Sequence, residues 1–399
     1  MTYLNIPVLV GSLGYFVDIY DLVLFSVVRV QSLTELGVSP ADQLSVGVML
    51  LNWQMTGMLA GGVIWGVLGD RVGRRSVLFG SIFMYSVATF ANGFVHHLDC
   101  YAWIRLIAGF GLAGELGAAV TLVCETLSAR ARTYGTMLVA CVGLLGAVVA
   151  ATTGDKLPWR HSYFIGGGLG FVLLLLRIKT AESDLFLHSE KSTPRKSLLL
   201  FLSPQRIGRY LCCIAVGLPT YFVASIVTTF SPELSRALSV KGAVTVGQVV
   251  IFSYIGTAAG DILAGLASHF WGSRKAVIAL CLTGMGLLVG VFLFSSGLTV
   301  HQFYWLCLGI GIAGGYWAVF ITAAAEQFGT NLRATVATTV PNFVRASAIP
   351  LTLALRALTE PLGLVSSAKV LGAITLLIAL GGLIAMKESF GRELDYLEV

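Results

Sequence analysis

Charge is what this chain has least of. Asp, Glu, Lys and Arg together make up 12% of it, where a soluble globular protein runs to about 25%. At the same time 56% of the residues are hydrophobic. A water-soluble core has no use for that much apolar surface, whereas a bilayer does. The chain also lacks a Walker glycine–lysine loop, a nucleophile elbow and an H-E-x-x-H pair, so neither an ATP-driven pump nor a membrane hydrolase has residues to carry it. The seven cysteines show no metal-ligand spacing and lie almost entirely in apolar runs, where a thiol behaves as a small hydrophobe. No cleavable leader is evident: the opening apolar run carries Asp18 and Asp21 and no basic start. The net charge of +6 forms no patch of the kind that nucleic acid requires. Neither enzyme chemistry, a cofactor, a metal nor a nucleic-acid partner is expected.

Long apolar runs take the place of charge. A helix needs about 20 apolar residues to cross the hydrocarbon, and twelve such runs are read, centred near Asp18, Gly57, Tyr85, Ala113, Gly143, Gly170, Pro219, Gly256, Leu287, Ala313, Arg345 and Thr375. The expectation is an all-α membrane protein with 12 transmembrane helices in two pseudo-symmetric six-helix bundles. The loops on one side, those with Arg74, Arg75, Arg177, Lys196 and Arg274 among them, hold about seventeen Lys and Arg against about seven on the other, which places both termini in the cytoplasm. One long polar segment, rich in Lys191, Arg195 and Lys196, divides the halves. The predicted organisation is bundle 1–181, cytoplasmic linker 182–207, bundle 208–390 and tail 391–399.

The halves repeat. Gly109-Phe-Gly-Leu-Ala-Gly114 returns as Gly309-Ile-Gly-Ile-Ala-Gly314, and Glu125 with Arg130 is echoed by Glu326 with Arg333. Each glycine run also fits a dinucleotide fingerprint, but that motif has meaning only between a strand and a helix. Inside an apolar helix, twice over, it reads as close packing through small residues.

Trp65 to Ser76 reads W-G-V-L-G-D-R-V-G-R-R-S, with Asp70, Arg71, Arg74 and Arg75 packed between two apolar runs. This stretch resembles the loop signature between helices 2 and 3 of the major facilitator superfamily, and the duplicated six-helix plan extends the resemblance over essentially the whole chain. Arg105-x-x-x-Gly109-x-Gly111 is similar to the family's fourth-helix motif. Phe16-Val-Asp-Ile-Tyr-Asp21 and Gly111-Leu-Ala-Gly-Glu115-Leu-Gly117 are similar to its metabolite:proton symporters, a group that includes carriers of organic anions and osmolytes. The resemblance implies alternating access. It gives Asp70, Arg71, Arg74, Arg75, Glu125, Arg130, Glu326 and Arg333 the role of a cytoplasmic gate, and links Arg105 to proton coupling. The second half departs from the signature, with His269 where the acid would stand and Ser273 where an arginine would. The fifth helix of the chain, from Gly135 to Gly154, lacks the glycine–proline motif of the drug-exporting branch.

The residues themselves point the same way. Asp18 and Asp21 share one helix face at i,i+3, and a carboxylate at the midplane costs about 2.5–3.5 kcal/mol on insertion scales. Two acids on one face repel when both are charged, which suits them to hold a proton. Glu115 sits mid-run and needs a partner or a proton. Arg105, nearer the outer end, either serves the site or snorkels to the surface. Arg345, with Asn342 beside Pro341, is the basic residue at the centre of the second half; its fork can grip a carboxylate. Tyr20, Asn52, Gln54, Tyr221, Tyr254 and Trp317 are candidate cavity residues. The reading is a proton-coupled symporter of a small polar or anionic metabolite, a carboxylate, zwitterion or polycarboxylate siderophore, acting as a monomer in a bacterial-type inner membrane. The alternatives are an exporter or uniporter of the same fold and a transporter-like receptor.

Overall fold

Between Ile6 and Glu35 the only proline is Pro7, in the first turn, where a missing N–H does no harm. Helix α1 therefore runs unbroken over Ile6–Glu35, about 45 Å at 1.5 Å per residue. The computed structural model describes residues 6–72, 74–115, 129–181 and 203–390, nearly all of them helical. The first unit continues, from residue 49 on, with α2 (Gln43–Val72), α3 (Arg74–Asn92), α4 (Leu98–Leu112), α5 (Ala129–Lys156) and α6 (Trp159–Ala181). The second holds α7 (Pro204–Phe222), a π-helical turn (Val223–Thr228), α8 (Ser231–Ala237), α9 (Val246–Trp271), α10 (Arg274–Phe294), α11 (Val300–Gly314), α12 (Trp317–Glu326), α13 (Thr330–Ala346), α14 (Ala348–Leu362) and α15 (Leu364–Ala385). The chain divides into two compact units, residues 1–40 with 49–196 and residues 41–48 with 197–399. Most of the predicted linker and the whole tail lie outside the described residues.

Eight helical segments among the described residues are long and apolar enough to cross a membrane: Gln43–Trp65, Val139–Lys156, Trp159–Ile178, Pro204–Thr228, Val246–Trp271, Arg274–Phe294, Val300–Glu326 and Leu364–Ala385. Their ends follow from local chemistry. Gly272 adopts φ 60° and stops α9, the left-handed position that glycine takes without penalty. Ser273 then caps α10, its hydroxyl accepting from Ala276 N at 3.1 Å. Thr299 and Gln302 form a reciprocal capping box at α11. Pro219 withholds an amide inside α7, and the helix passes into the π-turn just beyond it.

Glycine decides which helices touch. In the first unit Gly57 and Gly61 of α2 lie flush on the Leu106 and Phe110 carbonyls of α4, and Trp65 Nε1 donates to Phe110 O at 2.8 Å. In the second, Gly256 and Gly260 of α9 lie flush on the Leu308 and Ile312 carbonyls of α11. The repeat is thus a repeat of packing, in which small residues let backbones meet. Its register differs from the sequence motif. Gly109 abuts the Gln54 carbonyl, and the residue that abuts the matching Ser253 carbonyl is Gly311. Gly309 faces Leu288 of α10 instead.

At one end of the first unit Glu35 joins three elements. Trp159 Nε1 donates to Glu35 Oε2 at 2.6 Å, and Arg160 Nη2 reaches Oε1 at 3.0 Å. The same guanidinium donates to Gly93 O and Val95 O, tying in the α3–α4 turn.

Candidate functional site

The first unit gathers ionisable side chains that a membrane bundle does not hold without reason. Asp18, Asp21, Arg105, Glu115 and Arg177 are each at most 4% exposed. Asp18 and Asp21 come from α1, one turn apart. Asp21 Oδ2 accepts from Thr89 Oγ1 of α3 at 2.8 Å. Asp18 is fully buried and lies within electrostatic range of both Asp21 and Glu115.

Glu115 has a partner that the sequence reading missed. Arg177 of α6 grips it bidentately, Nη1 on Oε2 at 3.1 Å and Nη2 on Oε1. Arg177, by sequence one of the loop residues that report topology, is a buried counter-ion. Its place at the end of a hydrophobic run, two residues before Lys179, hid it. Gly14 of α1 makes the pair possible, because a Cβ there would strike both Glu115 Oε1 and Arg177 Nη2. Glu115 follows a two-residue turn after α4 ends at Leu112, so the acid enters the bundle at a break rather than mid-helix.

Arg105 does not snorkel. It is 2% exposed and donates to Gln54 Oε1 through Nη2, to Tyr163 OH at 3.1 Å and to Leu50 O at 3.3 Å. Its guanidinium covers the Phe25 ring at 3.7 Å, and Tyr101 shares the Tyr163 hydroxyl at 2.7 Å. Arg105 and Glu115 hold separate partners, as their separation along the chain predicts. Tyr20 is fully buried, bonded to Ser162 O at 2.8 Å and Thr153 Oγ1 at 3.0 Å; it fastens α1 to α5 and α6. Asn52 and Trp53 are half-buried on α2, with Trp53 against Trp103.

In the second unit Arg345 and Asn342 of α13 are buried, 1% and 3% exposed. Pro341 does not open the helix beside Asn342: α13 runs through both to Ala346 and gives way at Ser347. A proline's lost hydrogen bond falls on the carbonyl a turn earlier, so the chain need not part at the proline itself. Tyr221 packs on Trp317 with ring centroids 6.0 Å apart, and Tyr254 is half-buried on α9.

Asp261 of α9 is a second residue that sequence reasoning overlooked. It is buried, and its Oδ1 accepts from Ala318 N at 3.1 Å. Helix α11 ends at Gly314 and α12 starts at Trp317, so the carboxylate sits on the free amides that begin α12. Gly315 lies against the Gly260–Asp261 backbone, and Tyr316 anchors the break to α7 through Val216 O at 2.9 Å. The signal was present: one acid inside a 26-residue apolar helix.

The gate residues fare unevenly. Glu125 lies outside the described residues, as do the side chains of Asp70, Arg71, Arg74, Arg75, Arg130 and Arg333. Glu326 is described, and it pairs with Arg274, Nε on Oε2 at 2.5 Å and Nη2 on Oε1 at 2.6 Å. Beside it Glu388 closes the start of α10, accepting from Ser273 Oγ and from the amides of Arg274 and Lys275 at 3.1 and 3.2 Å. Partial burial opposes the Glu388 charge, but those donors and the Phe390 amide outweigh it and hold the carboxyl down at about 2. Among the described residues no group of His, Cys, Asp or Glu is placed to hold a metal.

Residues 11–386 match the Major Facilitator Superfamily. A protein of Haemophilus influenzae, provisionally named a metabolite transport protein, is 29% identical over 85% of each chain. The 3-(3-hydroxy-phenyl)propionate transporter of Escherichia coli is 25% identical over 74% of each. The sialic acid transporter of the same organism is 23% identical over 76% of this chain and 75% of its own. With a helical bundle that buries ions in its interior and a match spanning nearly every described residue, the chain belongs to the Major Facilitator Superfamily and is a multi-pass membrane transporter, not an enzyme.

Proposed function

We propose that the chain is a secondary transporter that takes up a small carboxylate or zwitterion together with protons. The observation that carries the reading is the set of three acids buried in the first unit: Asp18, Asp21 and Glu115 are each at most 3% exposed. A membrane interior does not favour such a group unless protons or ions visit it. Asp18 and Asp21 take and release the proton. Glu115 holds Arg177 when charged, so its protonation frees a guanidinium inside the bundle. Arg105, fixed by Gln54 and Tyr163, sets the local field at Asp21. Arg345, with Asn342, receives the substrate carboxylate. Two relatives are named for an acid and for a propionate, which favours that substrate class. The two halves, 1–181 and 208–390, rock about the substrate in alternating access, with the Asp70–Arg75 turn closing the inner side. Transport takes place in a bacterial-type inner membrane, by a monomer with both termini cytoplasmic.

The test begins with a thermal-shift screen of carboxylates and amino acids, since a ligand that binds the folded state raises the melting temperature. A hit is then loaded into proteoliposomes under an imposed pH gradient. Uptake driven by the gradient is expected in the wild type, and Asp18→Asn should abolish that drive while leaving counterflow. If Asp18→Asn and Glu115→Gln both keep gradient-driven uptake, the proton assignment is wrong and a uniporter takes its place.

A further inference from the structure

Away from the ion cluster, α7, α10 and α15 leave an apolar groove of about 180 Å³ between them. Pro219 and Phe222 of α7, Gly286, Gly290 and Phe294 of α10, and Lys369 and Gly372 of α15 are among its lining residues. Gly290 leaves the hollow open. A Cβ at Gly290 would meet nothing within 4 Å, although one at Gly286 would run into Leu376. From Gly286 to Phe294 the groove follows α10 for about 12 Å. Phe294 closes α10 and Lys369 lies in the second turn of α15, so the cationic end is the end of the spanning layer. On the same two helices, α10 and α15, Leu287, Val291, Phe294 and Leu377 are 51–75% exposed, apolar side chains of the kind that face lipid in a membrane protein.

Lys369 is the telling residue. Its Nζ rests over the Phe294 ring at 3.9 Å, and that ring is its one partner among the described residues. An ammonium has three donors, and the aromatic face satisfies it only as a charge. An apolar groove lined by a cation that has no acceptor among the described residues matches a molecule with an apolar chain and an anionic head.

We propose that this groove is a binding site for an anionic glycerophospholipid, one acyl chain lying along α10 over Gly290 and the phosphate on Lys369. A membrane cation contributes through attraction to anionic headgroups, and the Phe294 ring holds the ammonium at the groove mouth instead of letting it sweep. The inference depends on the membrane location and not on what is transported or on proton coupling.

Native mass spectrometry of the full chain, delipidated and then re-exposed to phosphatidylglycerol or phosphatidylcholine, tests it. The wild type should retain one phosphatidylglycerol per chain in preference to phosphatidylcholine. Lys369→Ala should lower phosphatidylglycerol retention about fivefold and leave phosphatidylcholine unchanged, with Lys369→Arg restoring it. Gly290→Leu, which fills the groove where there is space for a side chain, should reduce retention of both lipids. Each variant's melting temperature in detergent confirms that it is folded. Equal retention of the two lipids by the wild type, or no effect of Lys369→Ala, overturns the proposal. So does a dimer mass that Gly290→Leu converts to monomer, since a second copy would then be the occupant.

Discussion

Glu115 and Arg177 show what one residue decides here. Neither ion is tolerable alone at that depth, and losing one partner of a buried pair costs about 3–5 kcal/mol because the other charge is left uncompensated. Arg177→Ala is therefore expected to lower the melting temperature sharply, and Glu115→Gln with Arg177→Gln together should recover much of the loss. Gly14→Ala keeps both ions yet presses a methyl on their contact, so it should destabilise without removing any charge. Both effects are read as melting temperatures in detergent. Glu388 gives a pH-dependent counterpart outside the spanning segments. Its carboxyl, ordinarily near 4.3, is held at about 2 in the folded chain, so its contribution is complete above the ordinary value and fades as pH falls through about 2. Glu388→Gln should accordingly melt earlier than the wild type at pH 6, with the gap narrowing below about pH 4. The exposed part of this carboxylate keeps the difference modest.

At the scale of elements, the break between α11 and α12 is the feature to probe. Asp261 gives the amides that begin α12 an acceptor where water is scarce. Asp261→Asn retains an oxygen for the Ala318 amide and is expected to fold, whereas Asp261→Ala strands it at a cost of about 1–3 kcal/mol. A matched pair of melting curves distinguishes them, and equal curves would remove the carboxylate from any supporting role. Helix contacts are governed as tightly. Gly57→Ala would drive a Cβ into the Leu106 carbonyl, and since backbone cannot swing aside, α2 and α4 must part. Loss of stability is expected at Gly57, with none at Gly168, whose added Cβ would meet open space.

For the molecule as a whole, the sequence carried the class, the family and most of the buried ions, because composition and rare charges in apolar runs are properties of the chain alone. Asp18, Asp21, Glu115 and Arg345 stood out for that reason. What it hid were facts of rotation and depth. Arg177 looked like a loop residue because it lies near the end of a run, and only the helix face turns it inward onto Glu115. Arg105 could equally have pointed to the surface; Gln54 and Tyr163, distant in sequence, decide that it does not. Asp261 was overlooked because its role is to cap a helix start that no local signal at Gly315 announces. Likewise Glu326 was matched with Arg333 by sequence echo, and its described partner, Arg274, comes from another helix.

The slip between motif and packing has a consequence for anyone who would exchange parts between the halves. Gly311, not Gly309, stands where Gly109 does, and each residue turns a helix by about 100°. A hybrid spliced on the matching letters would rotate the transplanted segment by about 200°, bringing its oily side to the interior and its small residues to the fatty exterior. Spliced two positions later, the same segment would seat.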